Sequence, residues 1–200
     1  MSSAKVLTRR DPRPGVGLRK VLAAQEQQPQ TPAPISRPPE NVEEIQDGWD
    51  SVVLDSFTAD DAWELGHLLY ARLLPIATTQ NRPTLISIAL ANREQIVFEA
   101  AVGAGTLPDN AFWVRRKRNT VLRFGCSSWL MGRKLGGDEQ LFARKFGLGP
   151  EQAGDYAIHG GGVPVRVRGV EGVVAVVIVS GLKQDEDHGV IFDVIRENWE

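Results

Sequence analysis

Apolar positions recur along this chain in two rhythms, and the change between them is sharpest between residues 159 and 195. Residues 163–167 alternate apolar with basic positions, Gly169 and Gly172 bracket a reversal, and 173–179 are continuously apolar, which predicts two neighbouring strands. The rhythm then switches to threes and fours. His188, Ile191, Phe192, Ile195 and Trp199 recur at that spacing, which predicts a helix from near Gln184 with one imidazole on its apolar stripe.

Upstream, 52–57 reads as a short strand, and Thr58 opens a helix with Asp60 and Asp61 in its first turn, where the helix dipole favours carboxylates. Leu65, Leu68, Leu69 and Leu73 form its buried stripe, Pro75 ends it, and His67 lies beside the stripe as a boundary residue. Residues 84–90 and 95–101 are β-type runs joined through Ala91, Asn92, Arg93 and Glu94, the pattern of a hairpin. A further helix is capped at Asp109 or Asn110, and 138–146 give a short one with Leu141, Phe142 and Phe146 inward. Short reversals between consecutive strands imply antiparallel pairing, so the fold class is α+β, with helices layered on an antiparallel sheet.

The helix after Asp109 carries the sequence WVRRKRNTVLRF. At about 100° per residue, Trp113, Lys117, Val121, Phe124 and Ser128 share one face, while Arg115, Arg116, Arg118 and Arg123 point elsewhere. Lys117 thus falls on the core-facing stripe. It can bend its stem over apolar neighbours, pair with a buried carboxylate, or hold an anionic ligand. Leu122 and Trp129 fall on the opposite, outward face, which predicts a homo-oligomer with this helix near an interface.

Composition narrows the classes. A net charge of -2 and a pI near 6.0 give no overall drive toward nucleic acid. No apolar run reaches the roughly 20 residues of a membrane span, so no membrane insertion is expected. The single Cys126 excludes an intrachain disulfide framework and favours the cytoplasm. Residues 1–44 are rich in Pro, Gln, Arg and Ser and read as a disordered tail ahead of one domain over 45–200. The tail's early basic residues also suit a mitochondrial presequence, although Pro12 and Pro14 oppose the helix such a signal needs.

Three segments carry a resemblance: DNAFWVRRKRNTVLRFGCSSWLMG, YAIHGGGVPVRV and VSGLKQDEDH. Together they resemble the haem-degrading-domain family of GlcG-like and haem-binding HbpS-like proteins, in particular its poorly characterised bacterial and fungal branch, over roughly residues 46–199. The resemblance implies a profilin-like domain with a five-stranded antiparallel sheet flanked by helices, and homo-oligomers. It implies haem as a cofactor and, for eukaryotic relatives, adaptors linked to chaperones of tail-anchored membrane proteins. Family-matching positions include Trp113, Lys117, Arg116, Arg123, His159, Gly160, Gly161, Ser180, Gln184, Asp187 and His188, whereas Cys126 stands where close relatives carry histidine.

Three chemistries follow. A haem or small-anion site would use His159, His188 or Cys126 toward iron and Lys117, Arg116 and Arg123 toward carboxylates, with Gly160, Gly161, Ser180 and Gln184 beside them. The opposing reading is a core histidine bonded to a backbone carbonyl. A hydrolase would use Ser180 with His188 and the acids Asp185, Glu186 and Asp187, but acids at a helix start also serve the dipole. An adaptor would present its acidic end, Glu197 and Glu200 around Trp199, to a TPR-type carboxylate clamp. Binding of haem or another small anionic ligand is the leading expectation.

Overall fold

The computed structural model describes residues 5–92 and 95–200. Its elements in chain order are β1 (Val6–Leu7), α1 (Val16–Glu26), α2 (Val42–Gln46), β2 (Val52–Leu54), α3 (Ala59–Thr79), β3 (Thr84–Leu90), β4 (Ile96–Val102), α4 (Pro108–Phe124), α5 (Ser128–Lys134), α6 (Glu139–Lys145), α7 (Pro150–Ala153), β5 (Gly162–Val167), β6 (Ala175–Ser180) and α8 (Gln184–Asn198). The strands form one sheet in the order β1-β2-β5-β6-β3-β4. The α+β class holds, but the sheet is six-stranded and mixed rather than five-stranded and antiparallel. β3–β4, β3–β6 and β5–β6 pair antiparallel, the first and last through short connections, while β1–β2 and β2–β5 are parallel. The reason is connectivity: β2 reaches β5 through most of the domain, so no tight reversal dictates their direction. Of the expected β3–β4 connection, Arg93 and Glu94 lie outside the described residues.

The unbroken apolar run in β6 is explained by helices on both faces. Val177 and Val179 pack with Leu65, Leu69 and Leu73 of α3 and Ile191 and Ile195 of α8, while Val176 and Ile178 pack with Val114 and Val121 of α4 on the other side. A third cluster joins Ile45, Trp129, Leu130 and Phe142 around α5 and α6.

α3 begins as expected, with Thr58 and Asp61 in a reciprocal capping box, but Pro75 sits inside it. Loss of one helical hydrogen bond is outweighed there by burial of Leu74, Ile76 and Ala77 in the same turn. α4 starts at Pro108 with Leu107 at its cap, which leaves Asp109 in the first turn. It ends at Gly125, whose φ of 64° lies in the left-handed region. Ser128 and Trp129 therefore belong to a different helix, and Trp129 is buried rather than outward, so it lends no support to an interface. Arg118 is likewise buried and donates to Ser87 Oγ at 2.8 Å. In α6, Phe142 is buried but Leu141 is exposed.

The largest departure is the N-terminal segment. In place of a disordered tail, the described residues of 1–44 carry β1 and α1, followed by an extended run against α3, α5 and α8. Glu64, buried on α3, accepts from the amides of Gly15 and Gly17 and so anchors the start of α1. Arg72 donates to the carbonyls of Ala33 and Pro34, Trp129 Nε1 to that of Pro39, and Asp193 accepts from Ser36 N. Composition underestimates such a segment because its anchoring uses main-chain groups rather than large buried side chains.

The C-terminal acids are not a free tail. Trp199 is buried, Glu200 exchanges two backbone hydrogen bonds with Thr8, and Glu200 and Glu197 pair with Arg10 and Lys20. No helix among the described residues is long and apolar enough to cross a membrane.

Candidate functional site

β6 ends at Ser180, Gly181 makes a turn with φ of 143°, and α8 begins at Gln184. α4 crosses the same end of the sheet. Between them lies a hollow of about 350 Å³ lined by Asp109, Asn110, Trp113 and Lys117 of α4, by Ser180 and Gln184, and by His159 at its side.

Lys117 forms the floor. Only 3% of its side chain is exposed, and its ammonium donates to Asp187 Oδ2 at 2.9 Å and to the Val179 carbonyl at 3.0 Å. Of the readings open to a core-facing lysine, pairing with a buried carboxylate is therefore realised. Asp187 also accepts from the Leu182 amide at 2.9 Å, so this ion pair joins α4 to the turn between β6 and α8. Burial pushes the Asp187 carboxyl above the usual carboxylate range, against the opposing pull of Lys117 and the neighbouring amides.

Gly160 and Gly161 pass directly beneath. A Cβ on Gly160 would lie 2.2 Å from the Gln184 carbonyl oxygen, and one on Gly161 would lie 2.4 Å from that of Val179 and 2.8 Å from Lys117 Nζ. Gly161 also has φ of 105°, so its glycine serves both conformation and close approach. Gln184 Oε1 accepts weakly from Gly160 N at 3.4 Å.

His159 stands with its ring edge-on to Trp113, centroids 5.0 Å apart. Its Nδ1 is buried without a hydrogen-bond partner among the described residues, 3.7 Å from Glu139 Oε1. Partial burial holds the imidazole below its usual pKa, with Lys117 and Arg116 acting in the same sense and Glu139 opposing them.

His188 does not share this hollow. Its ring is completely buried, stacked against Trp129 and tilted against Phe192, with Nε2 2.7 Å from the Trp49 carbonyl oxygen. Burial drives its pKa down to about 3, so it is a neutral core histidine donating to a backbone carbonyl. The expected two-histidine iron site is thus absent, and so is the Ser180–His188 pairing that a hydrolase would need. Cys126 lies in the α5–α6 cluster with its thiol pushed up to about 11 by burial, which makes it a poor ligand at neutral pH.

The arginines disperse as well. Arg116 stacks over Trp113, donates to the Tyr156 carbonyl and lines a smaller adjoining recess, whereas Arg123 donates to the Tyr156 hydroxyl. His67 is a boundary residue on α3, its Nδ1 2.8 Å from the Trp63 carbonyl oxygen. Lys117, His159, Ser180 and Gln184 are therefore brought together over Gly160 and Gly161. Asp109, Asn110 and Glu139 complete the surroundings. The first two are visible in sequence only as capping candidates, and Glu139 only as an acid in a helical first turn.

A family profile described as "Haem degrading protein HbpS-like" matches residues 57–196. A UPF0303 protein of Streptomyces coelicolor is 39% identical over 155 residues, covering 78% of this chain and 91% of that protein. The crystal structure of the Ybr137w protein superposes with a TM-score of 0.67 at 32% identity, over 78% of this chain and 87% of the other. That of HbpS shares the fold, with a TM-score of 0.51 at 18% identity over 70% of this chain and 89% of the other. With the profile spanning most of the domain, and two relatives above 30% identity sharing its length, this chain belongs to the HbpS-like family.

Proposed function

We propose that this chain is a binding protein whose site is the hollow between α4 and the β6–α8 turn, and that its ligand is compact and polar. The observation that supports this is the coordination of Lys117. An ammonium has three N–H donors, and Asp187 and Val179 use two. The third has no partner among the described residues, on a side chain that lines the hollow beside His159. A buried donor left open toward a cavity is a usual mark of a site built for a ligand.

Haem fits this hollow poorly. It needs a donor facing an apolar slot. His159 could supply the donor, but the floor is an ion pair and the walls carry Asp109, Asn110, Ser180 and Gln184. His188 and Cys126 are both committed to the core. An anion is also disfavoured, because Asp187 already balances the lysine charge.

Hemin titration of the purified protein tests the reading. The expected result is no saturable Soret shift that depends on His159. A saturable shift abolished by His159→Ala would restore haem and overturn the compact-ligand proposal. Native mass spectrometry of the as-purified protein then reports any small retained mass, along with the number of subunits. We propose a homo-oligomer on the strength of Leu107 and Phe112, exposed by 66% and 53% at the start of α4. A buried free thiol as the sole cysteine suits residence in the cytoplasm.

A further inference from the structure

We infer that the ligand combines a protonated amine with a neutral carbonyl, the amine held at Asp109 and the carbonyl oxygen on Lys117. This rests on the reading of the hollow as the binding site.

Asp109, Trp113 and Lys117 follow one another at intervals of four along α4, on one side of the helix, and all three line the hollow. They place an acid, an aromatic wall and a base in a row, the ends about 12 Å apart along the helix axis at 1.5 Å per residue. At the deep end, the free N–H of Lys117 calls for an acceptor atom. Asp187 lies 2.9 Å from the same nitrogen, so an incoming carboxylate or phosphate would meet a like charge in a poorly solvated place. A neutral carbonyl accepts the same hydrogen bond without that repulsion.

At the rim the situation is reversed. Asp109 is exposed, its Oδ2 accepts from Trp113 Nε1 at 3.0 Å, and it has no ion-pair partner among the described residues. The titratable side chains lining the hollow are Asp109, Asp187, Lys117 and His159. With Asp187 and Lys117 in mutual balance, Asp109 leaves an excess of one negative charge for a cation to meet. Ser180 and the Gln184 amide line the same hollow and suit a ligand that itself carries amide groups. A short amine-ended chain of amides meets every one of these requirements.

The test uses three probes on the full-length protein: triglycine amide, N-acetyl-triglycine amide and succinate. Binding is measured by calorimetry and located through the indole N–H resonance of Trp113, assigned with Trp113→Phe. Triglycine amide is expected to bind and move that resonance, with acetylation weakening it roughly tenfold or more. Asp109→Asn keeps an oxygen for Trp113 at an exposed position, so the fold is retained. It is expected to weaken the amine probe by a similar factor and to leave the acetylated one unchanged. Tighter binding of succinate or of the acetylated peptide, with the Trp113 resonance still moving, would overturn the ligand class and keep the hollow as the site. A resonance unmoved by all three probes would overturn the inference, while the hollow itself is judged by the mass retained on purification.

Discussion

Lys117 and Asp187 meet at 2.9 Å with both side chains almost wholly buried, and the second Asp187 oxygen takes the Leu182 amide at the same distance. One carboxylate thus ties the middle of α4 to the turn that opens α8. Removing a single partner strands the other, so Lys117→Met is expected to cost about 3–5 kcal/mol. The double variant Lys117→Met/Asp187→Leu is expected to cost clearly less than the sum of the two single changes. Urea denaturation of all four proteins measures the difference, and strict additivity would show that the pair does not act as a unit.

His188 makes stability depend on pH in a definite direction. Its folded pKa of about 3 lies below the ordinary 6.5, so the unfolded chain binds the proton more readily. The stability this group contributes is complete above about 6.5 and falls as pH drops toward 3. Asp187, raised by burial, works in the opposite sense, so the imidazole is isolated by comparison with a variant. His188→Gln keeps a donor for the Trp49 carbonyl and is expected to flatten the acid limb of a stability profile. An unchanged limb would assign acid sensitivity elsewhere.

Gly161 tolerates no side chain. Its left-handed φ, and a Cβ that would crowd the Val179 carbonyl, Asp187 and Lys117, predict that Gly161→Ala destabilises by roughly 2–4 kcal/mol. Gly169, equally left-handed but with open space around it, supplies the control. Gly169→Ala carries the conformational strain alone and is expected to lower the melting temperature less.

Glu64 decides whether α1 stays in place. Its carboxylate accepts from Gly15 and Gly17, and Gly17 packs so closely on α3 that a Cβ would lie 2.7 Å from the Glu64 carbonyl oxygen. Glu64→Ala is expected to raise amide exchange across 15–26 at least tenfold while the strands β3 and β6 keep their protection. Equal loss of protection in the sheet would mean that α1 and the core unfold together.

Where structure is written in local periodicity, the sequence can be read directly. The stripe of His188, Ile191, Phe192 and Ile195 is buried as one face of α8, with Trp199 buried just past its end, and the β3–β4 and β5–β6 pairs follow their alternating and continuous apolar runs. Where structure depends on distant main-chain groups, it cannot. Nothing near His188 announces that its partner is the carbonyl of Trp49, 139 residues away, and nothing near Glu139 announces His159. The run from 109 to 129 reads as one helix because its period survives past Gly125, and the left-handed conformation of that glycine divides it. The hollow was half legible: Lys117 stood out as a charge on an apolar stripe, while its rim at Asp109 passed for a helix cap.

The grip on residues 33–49 is made largely through their main-chain groups. Side chains of the family-matched region, Arg72, Trp129, His188 and Arg196 among them, hold carbonyl oxygens of residues 33–49. Every residue type offers the same carbonyl, so Ala33, Pro34, Pro39 and Gly48 are free to change so long as the path is kept, whereas Gly17, Ile45 and Trp49 are held by their own packing. Related chains can therefore be expected to share this wrapping while differing at the positions held only by their carbonyls.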